Sequence, residues 1–423
     1  MSATPNSQKG LSLRRNISWT LVGNLVYALS QWGMLVILAR MSSPHIVGQY
    51  SLALAVSAPV YMALNLQLRG VQATDANKTY LFGDYLVLRV VTTIIGLIFL
   101  SVIVYRYAPD TRIVIGLISL AKAFETISDV LYGRMQAHER MDSIARSTLI
   151  KGPVSLLALF VGFLWEGLPG AAGLLAAGWL LLLVAYDLPN ALRMSTKDDI
   201  RWGGIRVLWQ LFKVSAPLGI VMGLVSLNTN IPRYQIEASL NTSALGIYSA
   251  LAYITVAISL IINATGQAVS PRLARYFAEG NKEGFFKILY KMLSIGIFLG
   301  MVGIIGASIL GRLVLNLMYG AAYSEYAPLL VTIMVAAGFG YLASFLGYTM
   351  TAARKFKEQV PLFLICTAIT YMLSYIFVPR YGLSGAALAT LISNVVQLGG
   401  GAFITYHAIL SRNSSPKEHD VHQ

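Results

Sequence analysis

Twelve apolar runs, each about twenty residues long and separated by short polar breaks, leave this chain few ways to fold. They fall at 16–38, 46–68, 85–105, 113–132, 145–165, 168–187, 209–231, 244–264, 288–312, 326–349, 360–378 and 384–409. A helix crossing the hydrocarbon of a bilayer takes roughly 20 largely apolar residues, so each run is read as one crossing. The gaps between them are too short for a soluble domain. Composition agrees, because only 12% of the residues are charged, against roughly 25% in a soluble domain. Such a chain cannot cover itself with a water-facing surface. It can cover itself with a lipid-facing one, and the expected fold class is all-α integral membrane protein with about twelve transmembrane helices.

The formal net charge is +14. Nucleic-acid binding would need those cations gathered on one soluble face, whereas here they sit in the loops between apolar runs. Loops on the side of the N-terminus hold twenty Lys and Arg, among them Lys9, Arg15, Arg134, Arg201, Arg412 and Lys417. The opposite side holds six: Arg40, Arg106, Arg112, Arg233, Arg312 and Arg380. By the positive-inside rule both termini are expected in the cytoplasm, as an even number of crossings requires. The first run is too long for a signal-peptide core and is followed by Arg40 without a small-residue cleavage site, so it is expected to stay as the first span.

Two loops look amphipathic. Trp202, Ile205, Leu208, Trp209 and Phe212 fall on one helical face with Arg201, Arg206 and Lys213 elsewhere; Leu273, Tyr276 and Phe277 repeat the pattern beside Arg272 and Arg275. Both read as surface-anchoring helices. The two halves also repeat. VGQYSLALA from Val47 resembles LGIYSALAY from Leu245, and GLPGAAG from Gly167 resembles GLSGAAL from Gly382. GRMQAHERM from Gly133 and YTMTAARKF from Tyr348 stand 215 positions apart, as do Gly167 and Gly382. Six crossings separate the equivalents, so the expected arrangement is two six-helix bundles, parallel pseudo-repeats around a central cavity. The expected divisions are a cytoplasmic segment 1–15, bundles 16–190 and 209–410, a cytoplasmic amphipathic linker 191–208 and a polar tail 411–423.

Several chemistries have no residues to carry them. Cys366 is the single cysteine, which excludes an internal disulfide and a thiolate metal site. There is no HExxH helix and no GxxxxGK phosphate loop, and no paired nucleophile and base stands out. No metal, cofactor or enzymatic activity is expected, and transport is the remaining common use of such a scaffold.

Charges inside the apolar runs are the candidate site, because an ionisable group at the bilayer centre costs roughly 2.5–3.5 kcal/mol on insertion scales. Lys122 lies near the middle of the fourth run, with Glu125 and Asp129 following at i+3 and i+7 on one helical stripe. One reading is a self-neutralised packing pair. The other gives Lys122 an anionic headgroup to attract and makes Glu125 or Asp129 the ion-coupling group. Arg89 in the third run either snorkels to the interface or lines the cavity. Lys151 precedes Gly152 and Pro153, which are expected to break the fifth helix and turn Lys151 inward. Arg40 and Arg233 end the first run of each half, as a cationic exit rim or as structural caps. Within the spans Arg89, Lys122, Arg146, Lys151, Lys213 and Lys291 outnumber Glu125, Asp129 and Asp187, which favours an anionic cargo, phosphate above all.

ARMSSPHIVGQY from Ala39, LNLQLRGVQATD from Leu64, DVLYGRMQAHERMD from Asp129, LNTNIPRYQIE from Leu227 and LMYGAAYSEYAPLL from Leu317 occur in one order along the chain. Together they resemble the Wzx-type O-antigen and exopolysaccharide flippases, in the superfamily that includes multidrug-and-toxin exporters and lipid II flippases. The resemblance implies a bacterial inner-membrane protein that moves a polyprenyl-diphosphate-linked oligosaccharide between leaflets by alternating access. It implies that cavity cations, for which Lys122, Arg89 and Lys151 are the candidates by depth, meet the diphosphate. Membrane lipids, a polysaccharide polymerase and a chain-length regulator are the expected partners. A drug or cation antiporter, a lipid II-type flippase and a non-transporting scaffold in a glycan assembly complex are the competing readings.

Overall fold

The computed structural model describes residues 13–75 and 78–411. Most of the expected 1–15 segment, nearly all of the 411–423 tail, and with them Lys9, Arg412 and Lys417, lie outside the described residues. Those described residues are helical and contain no strand. The long helices are α1 (Leu13–Met41), α2 (Pro44–Leu64), α4 (Phe82–Ile103), α5 (Pro109–Ala137) and α6 (Met141–Leu182), then α8 (Ile205–Ser239), α9 (Thr242–Glu279), α10 (Lys282–Tyr319), α12 (Ala327–Ala352) and α13 (Phe356–Ser411). Short helices α3 (Leu68–Thr74), α7 (Leu188–Arg193) and α11 (Ala321–Ser324) fill connections, and one π-helical turn, Leu183–Asp187, joins α6 to α7.

Among the described residues nine helical stretches are long and apolar enough to cross a membrane. Two of these, Met141–Arg193 and Lys357–Leu410, run to 53 and 54 residues. That is about twice what a bilayer needs. Each is broken near its middle by a residue at positive φ: Gly167 (φ 63°) in α6 and Gly382 (φ 58°) in α13. Each therefore holds two crossings. α5 falls outside the nine by composition, since it carries the charged stripe, and with it the described helices accommodate the twelve expected crossings. The repeated motif supplies both breaks, and its glycines are needed because the chain doubles back on itself there. A Cβ on Gly170 would stand 2.5 Å from the Gly162 carbonyl oxygen, and one on Gly385 would stand 2.1 Å from that of Phe377.

Helix ends follow local chemistry. The Asn241 and Asn281 side chains accept the Ala244 and Gly284 amides at 2.8 Å each, satisfying otherwise unpaired N–H groups at the starts of α9 and α10. Gly280 (φ 71°) lets α9 stop in the left-handed conformation. Outer faces are apolar: on α10, Phe298 is 66% and Ile309 75% exposed. In water such a face would be a large uncovered patch; in lipid it is the expected surface.

The chain divides into two compact units. One comprises the described residues up to Leu38 with Gln49–Gly223, the other Ala39–Gly48 with the described residues from Leu224 onward. The division thus falls inside α8, some way past the expected bundle start at 209. The first turns of α8 pack tightly within the first unit: a Cβ on Gly219 would lie 2.3 Å from the Ala63 carbonyl oxygen, and one on Gly223 would lie 2.8 Å from the Ala63 Cβ. Inside the second unit the repeat glycines Gly48 and Gly246 meet reciprocally. A Cβ on Gly48 would strike the Thr242 carbonyl oxygen at 1.8 Å, and one on Gly246 the Pro44 carbonyl oxygen at 1.9 Å.

Of the expected amphipathic face, Ile205, Leu208, Trp209 and Phe212 lie in α8, while Trp202 precedes it. Residues 195–204 form no helix, and α8 starts only at Ile205 after Gly204 (φ 88°). The backbone of the linker is instead satisfied by the first unit: the Gly203 amide donates to Asp84 Oδ1 at 2.7 Å, and the Gly83 amide donates to the Asp199 carbonyl at 2.9 Å. Arg134 donates to the Met194 carbonyl (2.8 Å), Ser195 Oγ (3.0 Å) and Asp199 Oδ2 (2.5 Å). These contacts hold the stretch before α8 in place. Trp202 and Trp209 are exposed, while Leu208 turns into the core.

Candidate functional site

The polar interior of the first unit is built on α5. A stripe at i, i+3 and i+7 places Lys122, Glu125 and Asp129 on one face, and each finds a partner. Lys122 Nζ lies 2.7 Å from Glu125 Oε2, and Glu125 Oε1 accepts the Tyr27 hydroxyl of α1. Asp129 lies 3.5 Å from Arg69 Nη1 and 3.6 Å from Arg89 Nη2. Asn65 completes this knot, accepting from Arg89 at 2.6 Å and donating to Asp129 at 3.4 Å. Arg89 is 1% exposed, so it does not snorkel. Its guanidinium is held inside the protein, and its buried Nε has no partner among the described residues.

Lys151 of α6 is 2% exposed. Its ammonium lies 5.6 Å from the Tyr132 ring centroid and 5.4 Å from that of Trp179, with no hydrogen bond or ion pair to it among the described residues. Lys122 approaches the same Trp179 ring at 5.2 Å, so one indole serves two cations. Trp179 is fixed in turn, its Nε1 donating to Ser155 Oγ at 2.8 Å. The inward placement of Lys151 does not come from a broken helix, because α6 continues through Gly152 and Pro153. Proline removes one backbone bond, and the rest of the helix holds. Gly152 instead admits α1: a Cβ there would lie 2.5 Å from Ser30 Oγ.

Sequence reasoning counted Asp187 only as one more carboxylate. It has no exposed surface. Three hydroxyls converge on it: Ser147 Oγ at 2.6 Å on Oδ1, with Ser128 Oγ at 2.7 Å and Tyr132 OH at 3.3 Å on Oδ2. The cue in the sequence is a carboxylate inside the otherwise apolar stretch LLLVAYD ending at Asp187.

The structure thus gathers Lys122, Glu125, Asp129, Arg89 and Lys151 in one unit, joined by Arg69 and Asp187. Arg40 and Arg233 belong to the other unit. Arg40 caps the end of α10, donating to the carbonyls of Asn316 (2.8 Å), Met318 (3.2 Å) and Leu317, where a cation also opposes the helix dipole. Arg233 Nη1 donates to Asn230 Oδ1 at 2.6 Å. Among the described residues no three His, Cys, Asp or Glu side chains are grouped to hold a metal ion.

The sequence profile of the family described as polysaccharide biosynthesis protein matches residues 13–277. The chain belongs to the polysaccharide biosynthesis protein family. A relative of this polysaccharide biosynthesis protein, the capsular polysaccharide biosynthesis protein CapF of Staphylococcus aureus, is 29% identical over 401 residues, covering 94% of this chain and 99% of CapF. Among solved structures, the lipid II flippase MurJ in an inward closed conformation matches with a TM-score of 0.71 at 12% identity, covering 94% of this chain and 93% of MurJ. An inward-facing multidrug resistance MATE family transporter of the MOP superfamily matches with a TM-score of 0.67 at 14% identity, over 97% and 98% of the two chains. The fold is therefore that of MOP-superfamily transporters. This polysaccharide biosynthesis protein is a multi-pass membrane protein, and the resemblance drawn from its loop motifs holds at the level of the family.

Proposed function

We propose that the chain is a flippase, carrying an oligosaccharide on polyprenyl diphosphate from the cytoplasmic to the outer leaflet of the bacterial inner membrane. The observation that carries this reading is Lys151: a buried ammonium with unused donors, backed by aromatic faces. A cation in that state is short of an anion. The spare Nε of Arg89 adds a second donor of the same kind, and a diphosphate is the anion that Lys and Arg groups suit best. The capsular and lipid II names of the relatives point to the same class of cargo. Glu125 and Asp129 are already held by Lys122, Arg69 and Arg89, so a cationic drug would first have to displace protein cations.

The headgroup and sugars cannot cross about 30 Å of hydrocarbon unaided. A polar site exposed to one side and then the other removes that barrier, while the polyprenyl tail stays in lipid. An inside-negative potential favours outward movement of the anion by about 2.3 kcal/mol per elementary charge per 100 mV. In this reading 16–190 and 209–410 act as the two six-helix bundles, and both termini face the cytoplasm. A polymerase and a chain-length regulator take over the delivered unit.

The test is mass spectrometry of lipids from cells lacking the chain. Polyprenyl-diphosphate oligosaccharide is expected to accumulate, inaccessible to reagents added outside. Unchanged lipid-linked sugars, or accumulation of a different lipid precursor, would overturn the proposal.

A further inference from the structure

Asp187 differs from the other carboxylates of the site in how it is held. Glu125 and Asp129 sit within 4 Å of cations. Asp187 has no ion pair among the described residues and is surrounded by hydroxyls, at the end of a π-helical turn. A hydroxyl donates one hydrogen bond and accepts others. Ser128, Ser147 and Tyr132 therefore all donate to a charged carboxylate, and one serine turning round accepts from a neutral carboxyl. Tyr132 OH and Ser147 Oγ, 2.7 Å apart, can pass a bond between them during that change. The shell leaves no buried polar atom stranded in either protonation state, which a shell of fixed N–H donors would not achieve.

The charged and titratable groups around it are few. α5 presents Tyr132, with Glu125 and Asp129 already paired farther along the stripe. α6 presents Lys151, one helical turn beyond Ser147. Asp142 of α6 is held by Arg140 and Arg146, and Tyr186 neighbours Asp187 in the chain with its hydroxyl on the Ser143 carbonyl. Arg69 lies 5.7 Å from the Tyr132 centroid and is paired with Asp129, and Arg193 of α7 is exposed. Among the described residues Lys151 is thus the one unpaired cation acting on Asp187. An anion arriving at Lys151 takes up its charge and brings further negative charge, and a buried carboxylate deprived of its counter-charge is neutralised by a proton.

We infer that Asp187 takes up a proton when an anionic headgroup occupies Lys151, so that headgroup and proton bind together. This rests on the assignment of Lys151 as the headgroup site. Linkage makes the coupling reciprocal: headgroup affinity rises on acidification, by up to about tenfold per pH unit for one proton.

Farnesyl diphosphate is a suitable probe. Calorimetric titration of the full chain in nanodiscs, in two buffers of different ionisation heat, counts protons taken up per probe bound. Wild type is expected to take up about one proton more than Asp187→Asn, with probe affinity at low pH within a few-fold; protons captured by the probe's own phosphates are common to both. Lys151→Ala is expected to lose binding. Ser128→Ala, a milder change that serves if the asparagine variant does not fold, removes one donor from the carboxylate and moves half-maximal uptake to higher pH. Equal proton uptake in wild type and Asp187→Asn, or an unmoved pH profile in Ser128→Ala, overturns the inference while leaving the Lys151 site standing. Wild type failing to bind the probe, or Lys151→Ala binding it unchanged, overturns both.

Discussion

Gly170 and Gly385 stand 215 positions apart and close the same turn in the same way, each occupying a place where a Cβ would collide with a backbone carbonyl from the preceding helical arm. The obstacle is backbone on both sides of the comparison, at 2.5 and 2.1 Å, so no side-chain rotation relieves it.

Gly385→Ala and Gly170→Ala are therefore expected to destabilise the protein by about 1–3 kcal/mol, the range for overpacking a close contact. Gly399→Ala, where a Cβ meets nothing within 4 Å, is expected to be neutral or mildly stabilising. Thermal unfolding of the detergent-solubilised variants measures both; equal behaviour of the three would refute the close-approach argument.

Lys122→Ala is expected to abolish surface polysaccharide while protein stays in the membrane, and Lys122→Arg to keep part of the activity. The lysine holds Glu125 at 2.7 Å and shares the Trp179 ring with Lys151. Its removal leaves Glu125 free to claim Lys151 in place of the cargo. Quantified polysaccharide beside immunoblots of the membrane fraction checks this, and normal polysaccharide in the alanine variant would remove Lys122 from the site.

Arg40→Ala should behave oppositely. Its guanidinium covers carbonyls at the end of α10, a contact worth about 0.3–1 kcal/mol. A small loss of thermal stability with polysaccharide output unchanged is expected. A severe loss of output at normal stability would return Arg40 to the transport path.

The linker carries a pH signature. Burial pushes the Asp199 carboxyl up, but the Thr196 amide and hydroxyl and the Arg134 guanidinium outweigh that and hold it below its ordinary range. A depressed carboxyl stabilises the fold above its unfolded value, about 3.9, and that contribution fades as pH falls through the lower folded value. Spin-label mobility at position 197 should thus be flat from pH 7 to 5 and rise only below about 4. Asp199→Asn should raise it at neutral pH; a rise already complete at pH 5 would place the clasp elsewhere.

The crossings were legible because hydrocarbon thickness sets a length that apolar runs must meet, and the breaks at Gly167 and Gly382 were legible because the motif occurs twice. The stripe of Lys122, Glu125 and Asp129 was legible because helical periodicity alone puts it on one face. What depended on distant chain was not. Arg89 had two readings until Asn65 and Asp129 were seen around it. Arg40 meets carbonyls some 276–278 residues away. The hydroxyls that donate to Asp187 come from positions 40 to 59 residues distant, and no local pattern joins them. The linker was legible in part: the amphipathic spacing from Ile205 to Phe212 lies in α8, whereas the non-helical stretch before it depends on Asp84 and Arg134, far along the chain.

The mutual contact of Gly48 and Gly246 with the opening turns of α9 and α2 has a genetic corollary. Each copy of the internal duplication is the other's steric template, as the two partners of an isologous dimer contact would be. A side chain gained at either position would run into backbone of its twin, so neither glycine can be replaced unless the opposite helix start moves.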